Sequence, residues 1–165
     1  MSTPAPIFIP STIQGGSGGQ EFSDLKNDPN IRQCRLIQVN YWTLVGALGG
    51  IQLVWENPRG ESIPGEVHGS TTGPANSFYL TVGERIIALT GHASAMVNAL
   101  TLITNKGRSV DFGLTSTPAF QWTIDLTRYP NAAFHHFTGR SGNFINALQA
   151  VFITVNREIK RLSPA

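Results

Sequence analysis

The chain has 165 residues, 41% of them hydrophobic and only 13% charged, with 17 Gly, 10 Pro, a single Cys and a formal charge of +2. That length supplies one domain's worth of core, and so apolar a composition with so little net charge excludes general disorder and argues against nucleic acid as a partner. Cys34 has no internal disulfide partner, and four His leave a structural zinc cluster short of ligands, so neither a metal nor a cofactor is expected.

In chain order, Ser2–Thr12 is rich in Pro and reads as an N-terminal extension, drawn over residues 1–13, that frays or packs on a neighbouring subunit. It has neither the positive start nor the unbroken apolar run of a secretory signal, and nowhere do about 18 apolar residues run together. A protein that is cytoplasmic or leaves the cell by an unconventional route, without membrane insertion, is the expectation. Gly15-Gly16-Ser17-Gly18-Gly19 then spends five positions on residues with little or no side chain, which costs folding entropy and exposes backbone N–H groups.

From there, short apolar and β-branched runs alternate with Gly, Pro and Asn clusters, and a helical period is almost absent. Strands are expected at Cys34–Tyr41, Gly50–Trp55, Ser62–Glu66, Ser77–Val82, Arg85–Gly91, Ala99–Thr104, Ser109–Phe112, Ala119–Ile124, Ala133–Thr138 and Ala147–Asn156. The fold class is all-β, a sandwich, barrel or prism. Asn57–Gly60 and Asn105–Gly107 carry hairpin-turn chemistry. The tail 157–165 holds Arg157, Lys160 and Arg161 beside Glu158 and reads as a solvated end.

A search for catalysis finds little. Glycoside hydrolysis needs two carboxylates facing one cleft, and the ten acids form no recognisable pair; most lie in expected turns and read as solvated. His135-His136 is the most suggestive dyad, but neighbouring side chains of a strand point to opposite faces, placing one ring in the core and one outside. Gly139-Arg140-Ser141-Gly142 lacks the spacing of a nucleophile elbow. No catalytic residue is assigned, and the chain is not expected to be an enzyme. Two glycine-rich loops remain, Gly15–Gly19 and Gly139–Asn146. They are either tight turns or a polar pocket of backbone N–H groups with the amide of Asn146, a mixture that suits sugar hydroxyls.

The wording and order of the chain resemble the jacalin-related lectins from about Gln14 to Asn156. The resemblance is carried by Gly15–Gly19 followed by Phe22 and Asp24, by Val67-His68-Gly69, by Thr104-Asn105-Lys106-Gly107 with Phe112-Gly113, and by Phe137–Gly142 running into Asn143-Phe144-Ile145-Asn146-Ala147-Leu148. It implies a lectin domain over 14–156 built as a β-prism I, three four-stranded Greek-key sheets about a pseudo-threefold axis, with the first and last parts of the chain in one sheet. It also implies one shallow, metal-independent carbohydrate site. There Gly19, Asn143 and Phe144 offer backbone N–H groups, Gly142 shapes the loop, and Asn146 stands where the family has a carboxylate. His92 or Ser94 on the rim segment His92–Met96 would tune specificity, and the Phe144 ring would lie against the sugar.

Galactose-binding members of that family are cut just before the position of Gly19, whereas this chain is continuous there, which resembles the mannose/glucose branch. The family's second loop corresponds to Tyr41–Gly50, which holds no acid, so one site per chain is expected. In that stretch Tyr41, Trp42, Leu44 and Leu48 read as core or as an apolar patch at a subunit interface. The partners implied are mannose/glucose-type glycans or glycoproteins, bound by a homo-oligomer. The alternative is a protein-interaction or structural module that kept the prism and lost sugar binding with the carboxylate.

Overall fold

The computed structural model describes residues 5–155, and they fold almost entirely as antiparallel strands. The first sheet has the order β1 (Pro6–Gly15), β13 (Ile145–Val155), β12 (Ala133–Ser141), β2 (Gln20–Ser23). The second runs β10 (Ser109–Gly113), β9 (Val97–Thr104), β8 (Ile86–Ala93), β11 (Ala119–Thr123). The third runs β5 (Ser62–Pro64), β4 (Ala47–Glu56), β3 (Arg35–Leu44), β7 (Ala75–Tyr79), with the two-residue β6 (His68–Gly69) also paired to β4. A single helical turn, α1 (Asp24–Asn27), and a 3-10 turn (Pro29–Gln33) join the first sheet to the third. This is the three-sheet prism that the resemblance implies.

All ten expected strands are present with ends shifted by a few residues, and Asn156 lies outside the described residues. The Pro-rich start is a correction: from Pro6 it is strand, paired with β13 from Pro6↔Val155 to Gly15↔Ala147. Proline lacks the N–H a central strand must donate, but it is tolerated at a sheet edge, and β1 is an edge with a register shift between Pro10 and Ile13.

The core lies where the sheets face one another, around Trp55, Trp122, Phe134, Phe137 and Phe152, each no more than 1% exposed. Buried indole N–H groups need acceptors, and both reach across sheets: Trp55 Nε1 donates to the His135 carbonyl (2.7 Å) and Trp122 Nε1 to the Thr12 carbonyl (2.8 Å). Two landmark residues far apart in sequence also meet in the interior. His68 Nε2 lies 2.6 Å from Asp24 Oδ1, the ring of Phe22 stacks on His68 at 3.6 Å, and Asp24 Oδ2 accepts from the Phe137 N–H.

Three sequence readings change. Asp24 and Glu84 are buried rather than solvated; Glu84 accepts from Arg108 Nε and Nη2 at 2.8 and 2.6 Å and from the Thr104 hydroxyl. That set of donors, Arg108 foremost, holds its carboxyl well below the usual carboxylate range against the cost of burial. The histidine dyad does not split between core and solvent. The register of β12 against β13 slips between Phe134 and His136, so His135 is an extra residue and the strict alternation fails there. Both rings are buried, with Nδ1 atoms 2.8 Å apart and Phe8 against each.

Candidate functional site

The two glycine loops meet at one pole of the prism because their flanking strands are neighbours. β1 ends at Gly15↔Ala147, and β2 begins at Gln20↔Ser141, so the first loop must pass over the turn joining β12 to β13. The Gly16 N–H donates to the Asn146 carbonyl (2.8 Å), and the Gly142 N–H closes its own turn on the Phe144 carbonyl (3.0 Å). Gly19 has a φ of 73°, a conformation glycine adopts without strain, and a side chain there would come within 2.5 Å of Asn146 Oδ1. The position must be glycine for both reasons.

The Asn146 amide therefore lies directly over the exposed Gly18–Gly19 backbone. The N–H groups of Gly19, Asn143 and Phe144 make no backbone hydrogen bond among the described residues, unlike those of Gly16 and Gly142. The result is a shallow surface carrying three backbone donors and one amide that both donates and accepts. Its parts are held from below by Arg140, whose Nε and Nη2 each donate at 3.0 Å, to the carbonyls of Gly18 and Gly19, while Nη1 reaches Glu21. Sequence reading passed over Arg140. The signal was an arginine inside a glycine loop, on a strand able to pair with the segment that begins at Gln20.

Gly142, Asn143, Phe144, Asn146 and Gly19 thus come together. Ser94 sits in the β8–β9 turn, its N–H on the Met96 carbonyl, and the next residue, Ala95, packs its backbone against Gly16, so this turn forms one wall. His92 is not brought in. It alternates with the buried Gly91 and Ala93, turning to the outer face of β8, where its Nδ1 donates to the Thr117 carbonyl at 2.7 Å. The ring of Phe144, 44% exposed, borders a narrow cleft of about 70 Å³ with Leu44, Leu48, Met96 and Val97 and so faces the β3–β4 hairpin. In that hairpin Tyr41 stacks on Phe112 at 3.9 Å and Leu48 is buried, whereas Val45 at the tip is 93% exposed.

Among the described residues, no three His, Cys, Asp or Glu side chains converge to hold a metal ion, and no helix is long and apolar enough to cross a membrane.

The family model for the jacalin-like lectin domain matches residues 11–151. Zymogen granule membrane protein 16 of Mus musculus is 31% identical over 136 residues, spanning 81% of this chain and 74% of that protein; the Homo sapiens protein is 30% identical over the same length. Among solved structures, the mannose-binding lectin from Champedak superposes with a TM-score of 0.72 at 24% identity, covering 92% of this chain and 99% of that one. A mannose-binding jacalin-related lectin from Ananas comosus gives 0.73 at 20%, covering 90% and 99%. Such structural likeness establishes the β-prism fold, and together with the sequence matches it makes this chain a member of the jacalin-like lectin family.

Proposed function

We propose that the chain is a non-enzymatic lectin that binds a mannose- or glucose-type residue at one metal-independent site, built from Gly19, Asn143, Phe144 and Asn146. The observation that carries this reading is the Asn146 amide laid over the exposed Gly18–Gly19 backbone beside the open N–H groups of the closing turn. Sugars present vicinal hydroxyls that both donate and accept, and a surface whose donors are fixed by the fold loses little freedom on binding. The solved neighbours described as mannose-binding support the choice of sugar.

With an amide where the family has a carboxylate, each acceptor bond is weaker by about 1 kcal/mol, since hydrogen bonds to charged groups contribute roughly twice those between neutral ones. A homo-oligomer would offset a weak single site by engaging several glycan ends at once.

The test is calorimetric titration of the full chain and of Asn146→Asp with methyl α-mannoside and methyl α-galactoside in parallel. Mannoside binding by the native chain, tightened several-fold in Asn146→Asp, is expected. Binding by Asn146→Asp alone would favour an interaction module with a silent site. Indifference of both chains to both sugars would sink the site assignment.

A further inference from the structure

A second cleft lies at the opposite pole of the prism, between the start of β3, the start of β8, the start of β12 and the end of β13. Its volume is about 390 Å³, within the roughly 300–1,000 Å³ of small-molecule sites. Leu36, Leu80, Ile86, Phe134 and Ile153 supply apolar walls.

The polar groups on its rim are unequal. Glu84 is neutralised by Arg108, and Arg35 is paired with Glu56 at 3.3 Å. His135 Nε2 is spent on the carbonyls of Ile31 and Cys34. Arg85 differs: its Nε and Nη2 donate to the carbonyls of Ala132 and Pro130, at 3.0 and 2.8 Å, and no carboxylate pairs with it among the described residues. A guanidinium has five N–H donors, so the neutral carbonyls leave both its charge and part of its donor fork for an anion.

We propose that this cleft binds a medium-chain fatty acid, with the carboxylate on the Arg85 guanidinium and the alkyl chain along Leu80, Ile86 and Ile153. An apolar wall alone accepts any alkyl group, whereas a single uncompensated guanidinium at its edge selects the sign of the head group, because a carboxylate can take two parallel N–H bonds from it. A cation would meet like charge, and a neutral alcohol would leave the guanidinium unpaired. The site stands apart from the sugar site and does not depend on it, since the two occupy opposite ends of the same strands.

The experiment is titration of the full chain with sodium decanoate below its micellar concentration, followed by calorimetry and by the methyl and ring NMR signals of Ile86, Phe134 and Ile153. Parallel titrations use 1-decanol and decyltrimethylammonium. One decanoate per chain, with those signals shifting, is expected, and Arg85→Gln should weaken decanoate about tenfold while leaving 1-decanol unchanged. Because Arg85 also braces the turn before β12, Ala133→Phe provides a second arm. It fills the cleft without touching Arg85 and should abolish binding while the melting temperature shows the chain folded.

Failure of decanoate to move the cleft signals would overturn the proposal, as would undiminished binding by Ala133→Phe. Equal affinity for all three amphiphiles would overturn the anion assignment, and a concentration-dependent dimer that buries the cleft signals would assign this face to a second copy. Methyl α-mannoside titrations of the same variants should be unchanged, so failure here is distinct from failure at the sugar site.

Discussion

The stacked pair His135–His136 makes the fold sensitive to mild acid, by an amount that can be worked out. His135 Nε2 lies 3.0 Å from the Ile31 carbonyl and 3.1 Å from that of Cys34, so this nitrogen carries a proton and donates. A neutral His135 then has a lone pair on Nδ1, and the 2.8 Å contact requires His136 Nδ1–H to donate to it. A proton added to His135 Nδ1 would set two N–H groups face to face. Burial pushes His135 from 6.5 down to about 4 despite the two carbonyls, and pushes His136 lower still, with the charge of its neighbour adding to the effect.

In the unfolded chain both rings take up protons near pH 6.5, while in the folded chain they do not until about pH 4, so the unfolded state binds more protons between those values. Stability is therefore full above pH 7 and falls as the pH drops, by about 2 kcal/mol per ring at pH 5. Against a total of roughly 5–15 kcal/mol, the loss of both contributions is large. Urea midpoints measured from pH 7.5 to 5 should decline steadily, while the ring ¹³C shifts of the folded protein report two neutral imidazoles at pH 5. A midpoint that stays flat over this range, or folded-state rings that titrate near 6.5, would refute the reasoning.

Glu84 gives a separate acid limb. Its folded pKa is depressed, so its contribution is present above about pH 4.5 and lost below it, and Glu84→Gln should flatten that limb in the same urea series. Arg140→Ala frees the carbonyls of Gly18 and Gly19 and lets the loop wander; sugar affinity should drop about tenfold by calorimetry with only a small fall in melting temperature. Val45 is a β-branched residue at a φ of 51° on an exposed tip. Val45→Asn should relieve about 1 kcal/mol of left-handed strain and raise the melting temperature by about 2–4 °C.

The sequence by itself determined the strands whose apolar alternation is uninterrupted, the hairpin turn at Asn57–Gly60, where the Asn57 side chain accepts from the N–H groups of Arg59 and Glu61, and the order of landmarks that carries the family. These are local matters: a side chain's face and a turn's backbone depend on residues a few positions away. What the tertiary structure decided depends on partners a hundred or more residues distant. Pro6–Gly15 is a strand because β13 offers it an edge, and the histidines share one buried environment because β12 slips a residue against the same strand. Asp24 is buried because His68 and the Phe137 N–H wait for it.

The candidate site divides in the same way. Gly19 and Asn146 could be named from motif wording, but that His92 turns outward, that Phe144 leans toward the β3–β4 hairpin and that Arg140 braces both glycine carbonyls follow only from the packing of sheets. A period of two along a strand says which residues share a face. It does not say which neighbouring element that face will meet, because that choice is made by the whole core when the three sheets close on one another.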